Sequence, residues 1–165
     1  YLAGAVTPNQ NPNARGTYIG MTVGHTKTDF VRATMEGVCF DIKDMLEAMI
    51  EGGAAPFDTV RLTGGIFRSE VWCQMQADIF NRTCEVVAVE EATSLGCAMI
   101  AAVGAGIYKD LEEAEKHMVK IKKIYEPISE NAAIYEDAFK VWRQIYKNLA
   151  IDAYDMIAEF QEKHR

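Results

Sequence analysis

Two adjacent glycines, Gly64 and Gly65, stand in the segment RLTGGIFRSEVW (residues 61–72), between an apolar run and a helix-like stretch. Neither carries a side chain, so a ligand can touch the main chain there. Ser69 follows as a good N-cap, with Glu70 behind it at the positive end of the helix dipole. Amide groups at a helix N-terminus have no partner within the helix and can face a ligand. Such a turn suits a nucleotide whose base or ribose lies against bare backbone. It suits an ordinary strand-to-helix turn equally well. The segment lacks the three spaced glycines of the dinucleotide fingerprint and the Lys-Ser/Thr pair of a P-loop. The residues alone therefore leave both readings open.

Other chemistry-bearing residues are dispersed. Cys39, Cys73, Cys84 and Cys97 have no spacing that makes a metal knuckle or a redox pair. Cys39, Cys73 and Cys97 fall on predicted helices beside apolar residues and read as small buried thiols of a reducing cytoplasm. His25, His117 and His164 form no zinc constellation. Asp29, Asp41, Asp44 and Asp78 sit on predicted helices and read as solvated or capping groups. None of them reads as a catalytic base, and no catalytic residue is expected among these 165.

The composition narrows the function classes. The 165 residues suit one domain with a hydrophobic core. They are 49% hydrophobic and 25% charged, the balance of a globular chain. The net charge of −7 and the absence of a basic run argue against nucleic acid as a partner. No apolar run approaches the ~20 residues of a membrane span, and the opening residues lack the signal-peptide pattern. A cytoplasmic protein is expected. The chain opens on YLAGAVTPNQNPNARG, without an initiator methionine, so a fragment of a longer protein is the economical expectation.

The elements that must position the glycines are readable from periodicity. GTYIGMTV (16–23) has strand composition. A long helix follows, opened by Thr26 or Thr28 with Asp29 in its first turn and closed by Gly52 and Gly53. Val31, Met35, Val38, Ile42, Met45 and Met49 recur at helical spacing and are expected to be its buried face. Gly37 is expected to admit a close neighbour. DTVRLTGG (58–65) reads as a strand and SEVWCQMQADIFN (69–81) as a helix with Trp72, Met75 and Ile79 inward. CEVVAV (84–89) is a strand. Residues 90–108 form a helix rich in Ala and Gly, expected to pack closely on the sheet; its alternative role is a helix start near a nucleotide cleft. A short helix (111–121), an extended stretch (122–127) and one long helix (131–165) complete the chain. The alternation of strands and helices predicts parallel strands in an α/β layer fold.

Roughly 35 residues of helix reach about 50 Å, longer than a compact domain needs. The apolar residues of the terminal helix, Ile134, Tyr135, Phe139, Trp142, Tyr146, Tyr154, Ile157 and Phe160, spread over a broad arc. Their covering is expected to be either the missing part of the protein or a second copy in a homodimer. The alternative is a break near Asn148 that folds the helix back on its own chain.

Three segments together resemble a known family. They are residues 14–49 (ARGTYIGMTVGHTKTDFVRATMEGVCFDIKDMLEAM), 62–80 (LTGGIFRSEVWCQMQADIF) and 85–108 (EVVAVEEATSLGCAMIAAVGAGIY). Their order and spacing are similar to the C-terminal domain of the FGGY carbohydrate kinases. The resemblance implies a ribonuclease-H-like, actin-like ATPase domain with a mixed sheet flanked by helices, truncated at its N-terminal end. Residues 1–165 would be most of the nucleotide-binding domain, with the catalytic and sugar-binding N-terminal domain absent.

By the same resemblance the cofactors are ATP and Mg²⁺, and the reaction passes the γ-phosphoryl group of ATP to a sugar hydroxyl. Gly64, Gly65, Ile66 and Ser69 occupy the family's adenosine motif. Many members carry small residues where this chain has Ile66 and Phe67, which leaves the fine geometry of the turn open. The wording of residues 64–78 resembles ketopentose kinases, xylulokinases in particular, more than glycerol kinases. A glycerol or gluconate kinase, or a non-catalytic actin-like module gated by nucleotide, are the alternatives.

Overall fold

The computed structural model describes residues 1–149 and 152–164, and of Ile66 and Phe67 the backbone only. The chain divides into two compact units, residues 57–128 and residues 1–56 with 129–165.

The unit of residues 57–128 holds the sheet. Its strands are β1 (Thr59–Leu62), β2 (Thr83–Val87) and β3 (Ile121–Tyr125), in the order β1-β2-β3. β1 and β2 are parallel, with Thr59 opposite Thr83 and Leu62 opposite Val86. They are joined through α2 (Glu70–Phe80). β3 runs antiparallel to β2, so the sheet is mixed, as the family resemblance implies, and the parallel strands expected from the alternation of elements are limited to β1 and β2. Two helices, α3 (Ala92–Gly104) and α4 (Leu111–Met118), lie between β2 and β3. A second helix between two strands reverses the chain once more, so β3 enters from the opposite end.

α2 supplies the core of this unit. Met75 and Ile79 are buried as their spacing predicts, Trp72 is half-buried, and Cys73, Ala77 and Phe80 are buried with them. Asp78 is buried too, and its Oδ1 accepts from the Ile128 amide at 2.8 Å and from Gln74 Nε2 at 2.9 Å. It is a structural acceptor, not the solvated carboxylate its sequence position suggests. α3 departs from expectation. It buries no residue and packs against α4, leaving Ile100 and Cys97 exposed. A helix of Ala and Gly has little side-chain bulk to bury against a sheet. The buried thiols of the described residues are Cys39, Cys73 and Cys84.

In the other unit, α1 (Lys27–Glu51) begins at Thr26 as predicted. The Thr26 amide donates to Asp29 Oδ2 at 2.7 Å, which closes a capping box and holds the Asp29 carboxyl below its usual pKa. Gly52 and a left-handed Gly53 end the helix. Its buried face is Cys39, Phe40, Lys43 and Asp44, not the predicted apolar stripe. Val31 and Met49 are exposed and the rest of that stripe is half-buried. The Gly37 position is open, with no atom within 4 Å of where a Cβ would stand.

The buried face is chosen by α5 (Ser129–Leu149), which lies alongside α1. Phe40 meets Phe139 at 5.9 Å between ring centroids, and Tyr135 donates to Glu36 at 3.0 Å. Lys43 donates to Glu136 at 2.6 Å, and Arg143 Nε stands 2.7 Å from Asp44 Oδ1. These partners advance together along both helices, so the two run in the same direction.

The single terminal helix of the sequence reading is replaced by two, α5 and α6 (Ala153–Lys163). Tyr154 is buried against Tyr146, with 6.3 Å between ring centroids. A straight helix would hold residues eight apart about 12 Å from each other along its axis. Ala5 and Ala14 of the N-terminal loop share this small core, and Asn13 donates to Asp155 at 2.7 Å. Ile134, Ile157 and Phe160 remain exposed.

Residues 16–23 form no strand. Strand propensity describes side chains that fit a pleated surface, and no described strand pairs with this segment. Tyr18, Ile19, Met21 and Val23 are exposed in the loop.

Burial raises the Asp41 carboxyl above its ordinary pKa; the terminal ammonium of Tyr1 opposes the shift and the charge of Asp44 adds to it. A raised folded-state pKa means that the folded state holds its proton to higher pH than the unfolded chain does. Stability then falls as pH rises from the ordinary aspartate value through the raised one. Asp41→Asn removes this loss. Urea unfolding should show the variant more stable than wild type at pH 7 and equal to it near pH ~3, where both states are protonated. A variant less stable at pH 7 would show that the Asp41 charge is favourably compensated.

Candidate functional site

The parallel pair β1 and β2 leaves the sheet on one edge, and both strands run directly into turns that open helices. In open α/β sheets the carboxyl ends of parallel strands are where ligands bind. The turn after β1 contains Gly64 and Gly65. Gly64 has φ +82°, a left-handed conformation that favours glycine. Residues Gly65–Arg68 form a short 3₁₀ turn that sequence reasoning does not anticipate. Both glycines are exposed, and among the described residues no atom beyond their chain neighbours lies within 4 Å of a Cβ built on either. The backbone there is bare, and no other described residue obstructs it.

Ser69 caps α2. Its Oγ accepts from the Trp72 amide at 3.3 Å, as its position predicts. The hydroxyl hydrogen is not used by that bond and can be donated elsewhere. Glu70 forms an ion pair with Lys123 of β3 at 2.8 Å, which holds the Glu70 carboxyl below its usual pKa. The side chain of Ile66 lies outside the described residues, as does that of Phe67. Gly64, Gly65 and Ser69 thus occur on one turn, and the turn after β2 lies beside them. Arg68 Nη2 donates to Glu90 Oε2 of that second turn at 3.1 Å. The Arg68–Glu90 link is missed by sequence reasoning; the only available signal is that each residue follows a parallel strand.

A cleft of about 770 Å³ lies elsewhere, within the unit that holds α1. Tyr1, Tyr18, Phe40 and Trp142 are among its walls, and neither Gly64 nor Ser69 is. Its walls are mainly aromatic and aliphatic, with Arg15, Glu36 and Asp41 as the charged residues among them. Among the described residues no group of His, Cys, Asp and Glu is arranged to hold a metal ion. Among them, too, no helix is long and apolar enough to cross a membrane.

A mixed three-stranded sheet flanked by helices, with a bare turn at the carboxyl end of its parallel pair, defines an α/β domain suited to a ligand on that edge. Residues 1–105 match the family model described as the FGGY family of carbohydrate kinases, C-terminal domain. The chain belongs to this family.

Among curated proteins it is 37% identical over 147 residues to a xylulose kinase of Staphylococcus epidermidis, covering 89% of this chain and 29% of that one. It is 35% identical over 143 residues to a glycerol kinase of Oceanobacillus iheyensis, covering 87% of this chain and 28% of that one. Among solved structures, a ligand-bound xylulose kinase from Lactobacillus acidophilus superposes with a TM-score of 0.86 at 29% identity. That match covers 95% of this chain and 31% of the other. The chain thus spans about 30% of the length of these relatives.

Proposed function

We propose that residues 1–165 are most of the ATP-binding C-terminal domain of a carbohydrate kinase. The sugar-binding and catalytic half would lie in a preceding domain of the full-length protein. The supporting observation is the bare Gly64–Gly65 turn at the carboxyl end of a parallel strand pair, inside the segment matched by the family. Gly64, Gly65 and Ser69 fit the nucleoside end of ATP: two residues of open backbone and one hydroxyl with a proton to donate. Ile66 belongs to the same turn through its backbone. When bound, ATP supplies the phosphoryl group that is transferred to the sugar. No described carboxylate cluster fits Mg²⁺, so no residue of this chain is assigned to it.

The sugar proposed is a ketopentose such as xylulose. Xylulose kinases of Staphylococcus epidermidis and Bacillus subtilis are 37% and 34% identical to the chain. A second reading, a glycerol or gluconate kinase, draws on the 35% identity to a glycerol kinase and 32% to a gluconokinase of Bacillus subtilis. The apolar residues left exposed at Ile134, Ile157 and Phe160 are read as faces covered by the remainder of the protein or by a second copy in a homodimer.

ADP release by the full-length protein, coupled to a reporter reaction over a panel of ketoses, polyols and aldonates, tests the reading. Turnover should depend on added sugar and be fastest with xylulose. The 165-residue chain alone should show none. Sugar-dependent turnover by the chain alone would place the catalytic group inside it, and a full-length protein inert to every sugar would remove the kinase reading.

A further inference from the structure

The two glycines of the Gly64–Gly65 turn have few described neighbours. Both glycines are exposed, and no atom of the other described residues stands within 4 Å of where a side chain would begin. Small terms can set the geometry of so exposed a backbone. One such term reaches it from the side. Arg68 closes the 3₁₀ turn, and its guanidinium donates to Glu90 on the neighbouring turn after β2. The two residues are 22 apart in sequence, and their side chains are 70% and 59% exposed. An exposed pair of this kind contributes little to global stability. Its position gives it a different use, because it links the two turns that leave the parallel strands on the same edge.

We infer that Arg68 and Glu90 form a positioning tether for the nucleotide. The ion pair fixes the 3₁₀ turn, and with it the bare backbone of Gly64 and Gly65, in the conformation that adenosine meets. This rests on the proposed nucleotide site. Arg68 acts through the turn and does not itself touch the ligand. The sign of one substitution separates the tether from simple electrostatics. Glu90→Gln removes a negative charge close to an anionic ligand. Electrostatics alone then predicts tighter ADP binding, whereas loss of the tether predicts weaker binding.

The test is calorimetric binding of adenosine and of ADP to the full-length protein. The variants are Arg68→Gln, Glu90→Gln and the exchanged pair Arg68→Glu with Glu90→Arg, with Gly65→Val as reference. Each single variant should weaken both ligands by about two- to fivefold, the size of effect an exposed ion pair can exert. Urea midpoints should stay unchanged. The exchanged pair should recover adenosine affinity, and wild type in ~1 M salt should approach the single variants. ADP binding that tightens or stays the same in Glu90→Gln overturns the tether. So does an Arg68→Gln variant that loses ADP affinity while keeping adenosine affinity, since Arg68 would then meet the phosphates directly. If Gly65→Val weakens ADP but both single variants bind as wild type, the tether alone fails. If Gly65→Val leaves ADP binding intact, the nucleotide site fails and the tether with it.

Discussion

Gly65→Val should lower nucleotide affinity by about tenfold or more, roughly 1.4 kcal/mol, while leaving the unfolding midpoint where it is. The two halves of this expectation come from different facts. Gly65 lies in the 3₁₀ turn without a positive φ, so valine can adopt its backbone conformation. Among the described residues beyond its chain neighbours, a Cβ there meets nothing within 4 Å, so they leave room for it. A substitution in open space on the surface costs about 0.5 kcal/mol or less. The space that makes the fold tolerant is the same space a nucleoside would occupy. Gly64→Ala is the contrasting variant. Its φ of +82° costs an alanine roughly 1–2 kcal/mol, so it should destabilise the turn before any ligand arrives. Calorimetry with ADP, paired with urea unfolding, separates the two. Undiminished ADP affinity in Gly65→Val would end the assignment of this turn.

The site was legible where it rests on local backbone chemistry. The strand before the glycines, the cap at Ser69 and the helix after it follow from propensity and capping within a dozen residues. The capping box of Thr26 and Asp29 follows in the same way. What was not legible depends on partners distant in sequence. The composition of residues 16–23 suits a strand, but a strand also needs a neighbour to pair with, which local sequence does not report. The α1 stripe looked like a core face because its residues are apolar. The face that is buried instead carries Lys43 and Asp44, which α5 supplies with opposite charges from about a hundred residues downstream. Periodicity detects apolar faces and is blind to a buried polar face whose partners are elsewhere. The antiparallel β3 was hidden for a similar reason: strand composition carries no direction, and the number of helices before it decides which way it runs.

The buried charges of α1 yield the second large effect, and it is asymmetric. Asp44 is 2% exposed, with Arg143 Nε 2.7 Å from its Oδ1 and Asn9 Nδ2 3.3 Å from its Oδ2. The contact with Arg143 is ionic, without the alignment of a hydrogen bond. Arg143→Met therefore leaves a buried carboxylate with a single amide donor. Breaking a buried pair by removing one partner costs about 3–5 kcal/mol. The lower end is expected here, because the Arg143 side chain is 35% exposed and water can follow it in. Lys43 is as deeply placed, at 3% exposure, but its partner Glu136 is 50% exposed. Lys43→Met leaves behind a carboxylate that already reaches solvent, and a methionine chain fills the space against the Phe139 ring. That change should cost within about 1 kcal/mol, since replacing the buried charge removes its desolvation penalty along with its pair. Glu136→Gln does the reverse: it leaves the Lys43 ammonium buried with Glu47, at 3.9 Å, as its remaining ion-pair partner among the described residues, and it should cost more than Lys43→Met. Urea unfolding of the three variants at neutral pH measures the order. Arg143→Met should be the least stable and Lys43→Met the most. Equal losses for Arg143→Met and Lys43→Met would mean that burial of the stranded charge does not control the energetics, and that packing along α1 and α5 carries the stability instead.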